Sequence, residues 1–283
     1  MRCWMVAAIF VAAGSAAFAA GYDDYMRGYE ARRAGNFEAA LTAFTAALAD
    51  GDLAPTYQPD AHIGRADALM HKRKCAEAAA DLDAALSLRP KTVEALMLRA
   101  NANSCLGKPD AAFADIDAAI AVAPSTGLYA TRADFHWFRG EFATAAADYL
   151  QAAKLQPKRA YEPRQGIYSL LWYAISAARA KTYDAAVFAA AAHDLDVDED
   201  DWPGPLMGFI RGKTKREDVY REAARGDGVV PVHKKCQADF FIGEWQVANG
   251  DPAGRALLQG MEQSCPKEAA VLYDARRDLK RLP

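Results

Sequence analysis

The 283-residue sequence has little that would build a sheet and nothing that announces a catalyst. Alternating runs of Val, Ile and Thr are scarce, which argues against a strand-led fold. No H-E-x-x-H, G-x-S-x-G, G-x-G-x-x-G or P-loop pattern occurs, so the usual zinc-protease, hydrolase and nucleotide-binding devices are missing. Nor is one sign of charge in excess. The formal net charge is −3; removing residues 1–19, with Arg2 and no acid, leaves 33 Lys and Arg against 37 Asp and Glu, or −4. A mildly acidic chain has no general attraction for nucleic acid or an anionic membrane. Long apolar runs are confined to the first twenty residues. What is plentiful is alanine, within a composition 52% hydrophobic and 25% charged. That is enough to bury a sizeable core, and alanine suits tightly packed helices.

Residues 1–19 read as a cleavable signal peptide: Arg2, an apolar run, then Ala17-Phe18-Ala19 as an A-x-A cleavage site. The expected mature N-terminus is Ala20 or Gly21. Cys3 precedes the apolar run, so it is not placed to act as a lipoprotein cysteine. The mature chain, 20–283, is expected free in the periplasm or secreted, with no integral membrane span.

The body of the chain is periodic. Pro90, Pro124 and Pro157 are 34 and 33 residues apart. Counting back from each, small residues recur: Ala66, Ala100 and Ala133; Ala78, Ala112 and Ala145; Ala85, Ala119 and Ala152. Between the last two slots stand Leu82, Ile116 and Tyr149. Small residues at fixed offsets let paired helices approach where they cross. With a 34-residue period, this pattern resembles the tetratricopeptide repeat (TPR) family.

The resemblance implies an all-α, right-handed solenoid of about six helical hairpins plus a C-terminal capping helix. Repeats are expected near 21–52, 59–90, 93–124, 126–157, 167–195 and 236–265, with the capping helix at 267–281. Gly107 and Gly140 mark the tight turn between helices, where a residue without Cβ is favoured; repeat two puts Arg73 there. Thr214 and Glu217 have the spacing of a capping box. From Trp202 onward, Gly212-Lys-Thr214, Asp239-Phe-Phe-Ile-Gly243 and Gly250-Asp251 are similar to the C-terminal half of NlpI-type envelope TPR proteins, which act as adaptors. Those are lipid-anchored, and this chain lacks the cysteine for it.

Four cysteines remain beyond residue 19, which allows three pairings. In the TPR register, Cys75 starts the second helix of repeat two and Cys105 ends the first helix of repeat three. Cys236 starts the sixth unit and Cys265 ends it. The expected disulfides are therefore Cys75–Cys105 and Cys236–Cys265, in keeping with an oxidising compartment. No metal or cofactor is expected. His71 and Cys75 lack a second pair to complete a zinc site. The acidic run 194–201 begins like a calcium loop but has Glu199 and Pro205 where glycine and glutamate are required, so it reads as a solvated loop.

Tyr22, Tyr25 and Tyr29 fall at i, i+3 and i+7, which alone would read as a core stripe. The TPR register instead turns them toward the groove lined by the first helix of each hairpin. The same register assigns Arg32, Asp67, Glu94, Asn101, Asp134, Trp137 and Tyr168 to that groove. The expected function is that of an exported, non-enzymatic adaptor binding a basic or neutral protein or peptide segment. The alternative is a glycan-binding or auxiliary subunit of cell-envelope polysaccharide or peptidoglycan machinery, with the aromatics stacking on sugars. A carboxylate clamp is not indicated: it needs Lys and Asn at two groove positions of one repeat, where repeat two has Ile63 and Asp67.

Overall fold

The computed structural model describes residues 20–49, 51–156 and 164–282. The signal-peptide reading of 1–19, and most of the stretch between the repeats expected at 126–157 and 167–195, lie outside them. Among the described residues all regular structure is helical. Contacts divide the chain into two units, Met1–Pro124 and Ser125–Pro283.

The first unit holds three hairpins: α1 (20–33) with α2 (Phe37–Leu48), α3 (Gln58–His71) with α4 (Cys75–Leu88), and α5 (Val93–Cys105) with α6 (Pro109–Val122). The second holds α7 (Thr126–Arg139) with α8 (Phe142–Leu155), and α9 (Arg164–Arg179) with α10 (Ala185–Asp194). Then come two short helices, α11 (Gly204–Ile210) and α12 (Arg216–Ala223), a hairpin of α13 (Val230–Ala248) with α14 (Ala253–Ser264), and a final helix α15 (Ala270–Leu279).

All six hairpins turn the same way. One or two positions after each first helix stands a residue with a positive φ: Gly35, Arg73, Gly107, Gly140, Lys181 and Gly250. The following amide reaches back five residues, as in Asn36 N to Ala31 O, Lys74 N to Leu69 O and Asp251 N to Gln246 O. This pattern closes the helix end by satisfying carbonyls that have no intrahelical partner. Arg73 and Lys181 hold the left-handed conformation without being glycine, at φ 61° and 60°.

Packing within the hairpins rests on the small residues. Ala66, Ala100, Ala133, Ala78, Ala112, Ala145, Ala85, Ala119 and Ala152 are all buried. In the first unit Phe44 of α2 fills the space between Gly28 of α1 and Gly64 of α3; a methyl group at either glycine would overlap its ring. A second recurring device joins the helices of three hairpins. Arg65 donates to both oxygens of Asp81, Arg99 to both of Asp115, and Arg132 to both of Asp148, at 2.6 to 3.0 Å. Each pair spans 16 residues, and each aspartate is 6% exposed. A bidentate arginine is what makes a buried carboxylate tolerable. Burial would raise the Asp81 carboxyl; the hydrogen bonds from Arg65 and His62 outweigh that and hold it below its ordinary value.

Two details differ from expectation. α12 is capped at Lys215 without a side-chain hydrogen bond, so Thr214 lies one residue too early; its side chain packs against Gly208. α13 begins at Val230, so Cys236 sits in its second turn. The disulfides are Cys75–Cys105, with Cα atoms 6.2 Å apart, and Cys236–Cys265, with Cα atoms 5.6 Å apart.

Arg73→Gly should raise stability by about 0.5 kcal/mol, because relief of the left-handed strain exceeds the entropy glycine adds to the unfolded chain. The urea midpoint measures it, and a lowered midpoint contradicts the turn assignment. Replacing Cys75 and Cys105 together by serine should cost about 3 kcal/mol by the loop-entropy account, given their sequence separation of 30. An unchanged midpoint would show that the bond does not form.

Candidate functional site

The residues assigned to a groove fare differently in the two units. Those of the first unit come together; those of the second are taken up by the chain itself.

In the first unit, Tyr22 and Tyr29 of α1 are exposed at 39% and 41%. Tyr25 lies half-buried between Tyr22, Tyr57 and Phe44, with ring centroids 5.1 to 6.2 Å apart in this group. Its phenol is raised by burial first and then by the charge of Asp60. The Arg33 guanidinium stands 5.9 Å from the centre of the Tyr29 ring. One turn further, Arg32 ties three first helices together. Its Nε donates to Asp67 of α3 and its Nη2 to Glu94 of α5, both at 2.6 Å. Asn101, on α5, is partly buried. This face therefore carries an aromatic end and an ion-paired end. Asp67 and Glu94 share one arginine, so the group has a net charge of −1. Asp67 and Glu94 are thus not a fully negative floor.

Trp137, Asp134 and Tyr168 need correction. Trp137 is a core residue at 1% exposure, with Phe142 and Trp172 edge-on at 4.8 and 5.2 Å. Its indole N–H donates to Asp278 of α15 at 3.1 Å. Asp134 accepts the Tyr149 hydroxyl at 2.5 Å, and burial pushes its carboxyl up to about 6. Tyr168 donates its hydroxyl to Gln237 of α13 at 2.8 Å and stacks on Phe241. In the second unit, then, α13 and α15 pack where an open groove was expected. Their charged groups were not foreseen as structural: Glu244 of α13 is paired with Arg179 of α9 at 3.1 Å, and Arg281 donates to the carbonyls of Trp137 and Phe138. A signal was available. Leu272, Ala275 and Asp278 stand three apart on α15, and all three are buried, so a charge occupies an apolar stripe.

Residues 25–74 and 63–127 match the family model of the tetratricopeptide repeat. Among solved structures, the crystal structure of a tetratricopeptide repeat protein from Parabacteroides merdae matches with a TM-score of 0.56 at 13% identity. The match covers 91% of this chain and 98% of that one. No curated protein matches. Residues 25–127 are similar to tetratricopeptide repeats, and the fold of the chain is that of a TPR solenoid. Among the described residues no helix is long and apolar enough to cross a membrane.

Trp137→Ala should lower stability by about 3–5 kcal/mol, the range for emptying a buried aromatic site. Chemical denaturation measures this without any partner. A loss under about 0.5 kcal/mol, the usual surface value, would restore Trp137 to the surface.

Proposed function

We propose that this chain is an exported scaffold that holds an extended protein segment against the first-helix face of its first unit. The TPR fold supports the general reading, since such arrays present helical faces to protein partners. Export is supported by the leader pattern and by two disulfides, which persist in oxidising compartments. The observation that carries the proposal is the pair Tyr22 and Tyr29, large aromatics left exposed on one helix face above the half-buried Tyr25. Tyrosine gives rigid contact area at low entropy cost and recurs at binding hot spots. The net charge of −1 on the Arg32–Asp67–Glu94 group disfavours an acidic segment and favours a neutral or basic one. The same exposed tyrosines favour a second reading, stacking on the sugar rings of an envelope glycan.

Selection of peptides from a random displayed library against residues 20–283 tests the first reading. Enriched peptides should be neutral or basic. Tyr22→Ala and Tyr29→Ala should each weaken them by about 1–2 kcal/mol, the usual range for an interface aromatic, with helicity unchanged. Peptides that bind both variants as well as the parent would place the site elsewhere. Co-sedimentation with purified cell wall that those two substitutions abolish would select the glycan reading instead.

A further inference from the structure

The least ordinary chemistry in the second unit is the seat of its last helix. α15 packs on α13 and α14 and reaches α7 through Asp278 and Arg281. Four carboxylates converge there: Asp134 from α7, Glu244 from α13, and Asp274 and Asp278 from α15 itself. Glu244 and Asp278 are 0% exposed; Asp134 and Asp274 keep partial exposure. The cations are fewer. Arg179 pairs with Glu244. Arg277 lies over the Phe138 ring, 3.7 Å from its centre. Arg281 is 3.7 Å from Asp278 and spends its hydrogen bonds on the α7 carbonyls. Tyr149 of α8 is neutral and donates to Asp134. The charged contact from α14, Glu262 with Arg276, is on the exposed side of the helix.

Two carboxylate oxygens in this seat, Glu244 Oε1 and Asp278 Oδ1, are buried without any hydrogen-bond donor. A bare carboxylate oxygen away from water is costly, and a bound proton lowers that cost by removing the charge. We propose that α15 is an acid-held strap, docked while these carboxylates share protons and loosened as they ionise, so that its release bares Trp137 and Asp134 on α7.

The electrostatics agree in sign. Burial first, and then mutual repulsion, pushes Asp274 and Glu244 up to about 7; burial raises Asp278 in the same direction. Groups whose values are raised by docking bind more protons docked than free, so the docked state is favoured at low pH and loses ground as pH rises through about 6–7. This inference does not rest on the peptide-binding reading of the first unit.

Hydrogen exchange read by mass spectrometry at pH 5.5 and 8.0, corrected for intrinsic rates, tests it on residues 20–283. Protection of the amides of α15 should fall by at least about tenfold at pH 8.0, because one extra proton held by the docked state changes the docking equilibrium about tenfold per pH unit. Protection of α3 to α6 in the first unit should stay constant. The D274N/D278N variant removes the strap's own two carboxylates, leaving Glu244 and Asp134 in the seat, and should keep α15 more protected than the parent at pH 8.0. Asp278→Asn still offers an oxygen to Trp137; should the double variant fail to fold, Asp274→Asn alone, on the partly exposed side, should reduce the pH dependence. Equal protection of α15 at both pH values overturns the proposal. So does a loss that spreads evenly over the second unit, or one that the variants leave unchanged.

Discussion

Two helices can lie close only where neither has a side chain to hold the other away. In this chain that spacing is set by alanines at three slots per repeat, and the rest of the architecture depends on it. Because the helices are close, the connecting turn must be short and must reverse through a left-handed residue. For the same reason an arginine on one helix reaches both oxygens of an aspartate on its neighbour. The Arg65–Asp81, Arg99–Asp115 and Arg132–Asp148 pairs are a by-product of that closeness, and they also resist its loss. A hairpin that spread apart would leave a carboxylate in apolar surroundings with nothing to neutralise it.

The fold was legible because its signal is periodic. Alanines that recur every 33 or 34 residues say which faces meet, independently of what else the chain does. The arginine–aspartate pairs share a fixed 16-residue spacing in three repeats, but the sequence reading did not pick them out. The turn at Arg73 shows a geometry outlasting its preferred residue: the backbone hydrogen bonds are the same as at Gly107 and Gly140, so the strain is absorbed locally.

The functional surface was legible only in part. Repeat register states which face of a helix looks away from its own hairpin. It does not state what a distant part of the chain lays on that face. Trp137 and Asp278 are 141 residues apart, and no local pattern links them. Tyr22 and Tyr29 kept the exposure their register implied, since no described segment covers α1 as α15 covers α7. Asp67 and Glu94 changed character because Arg32, three residues beyond Tyr29, reaches across to both.

The two disulfides also bear on how the chain acquires its shape. Each joins cysteines that are consecutive in the sequence, 30 and 29 residues apart. The first bond is therefore complete within a stretch that ends before Cys236. Pairing Cys105 with Cys236 instead would have to span 131 residues. Each bond therefore closes a local loop of similar length, and neither ties the first half of the chain to the second.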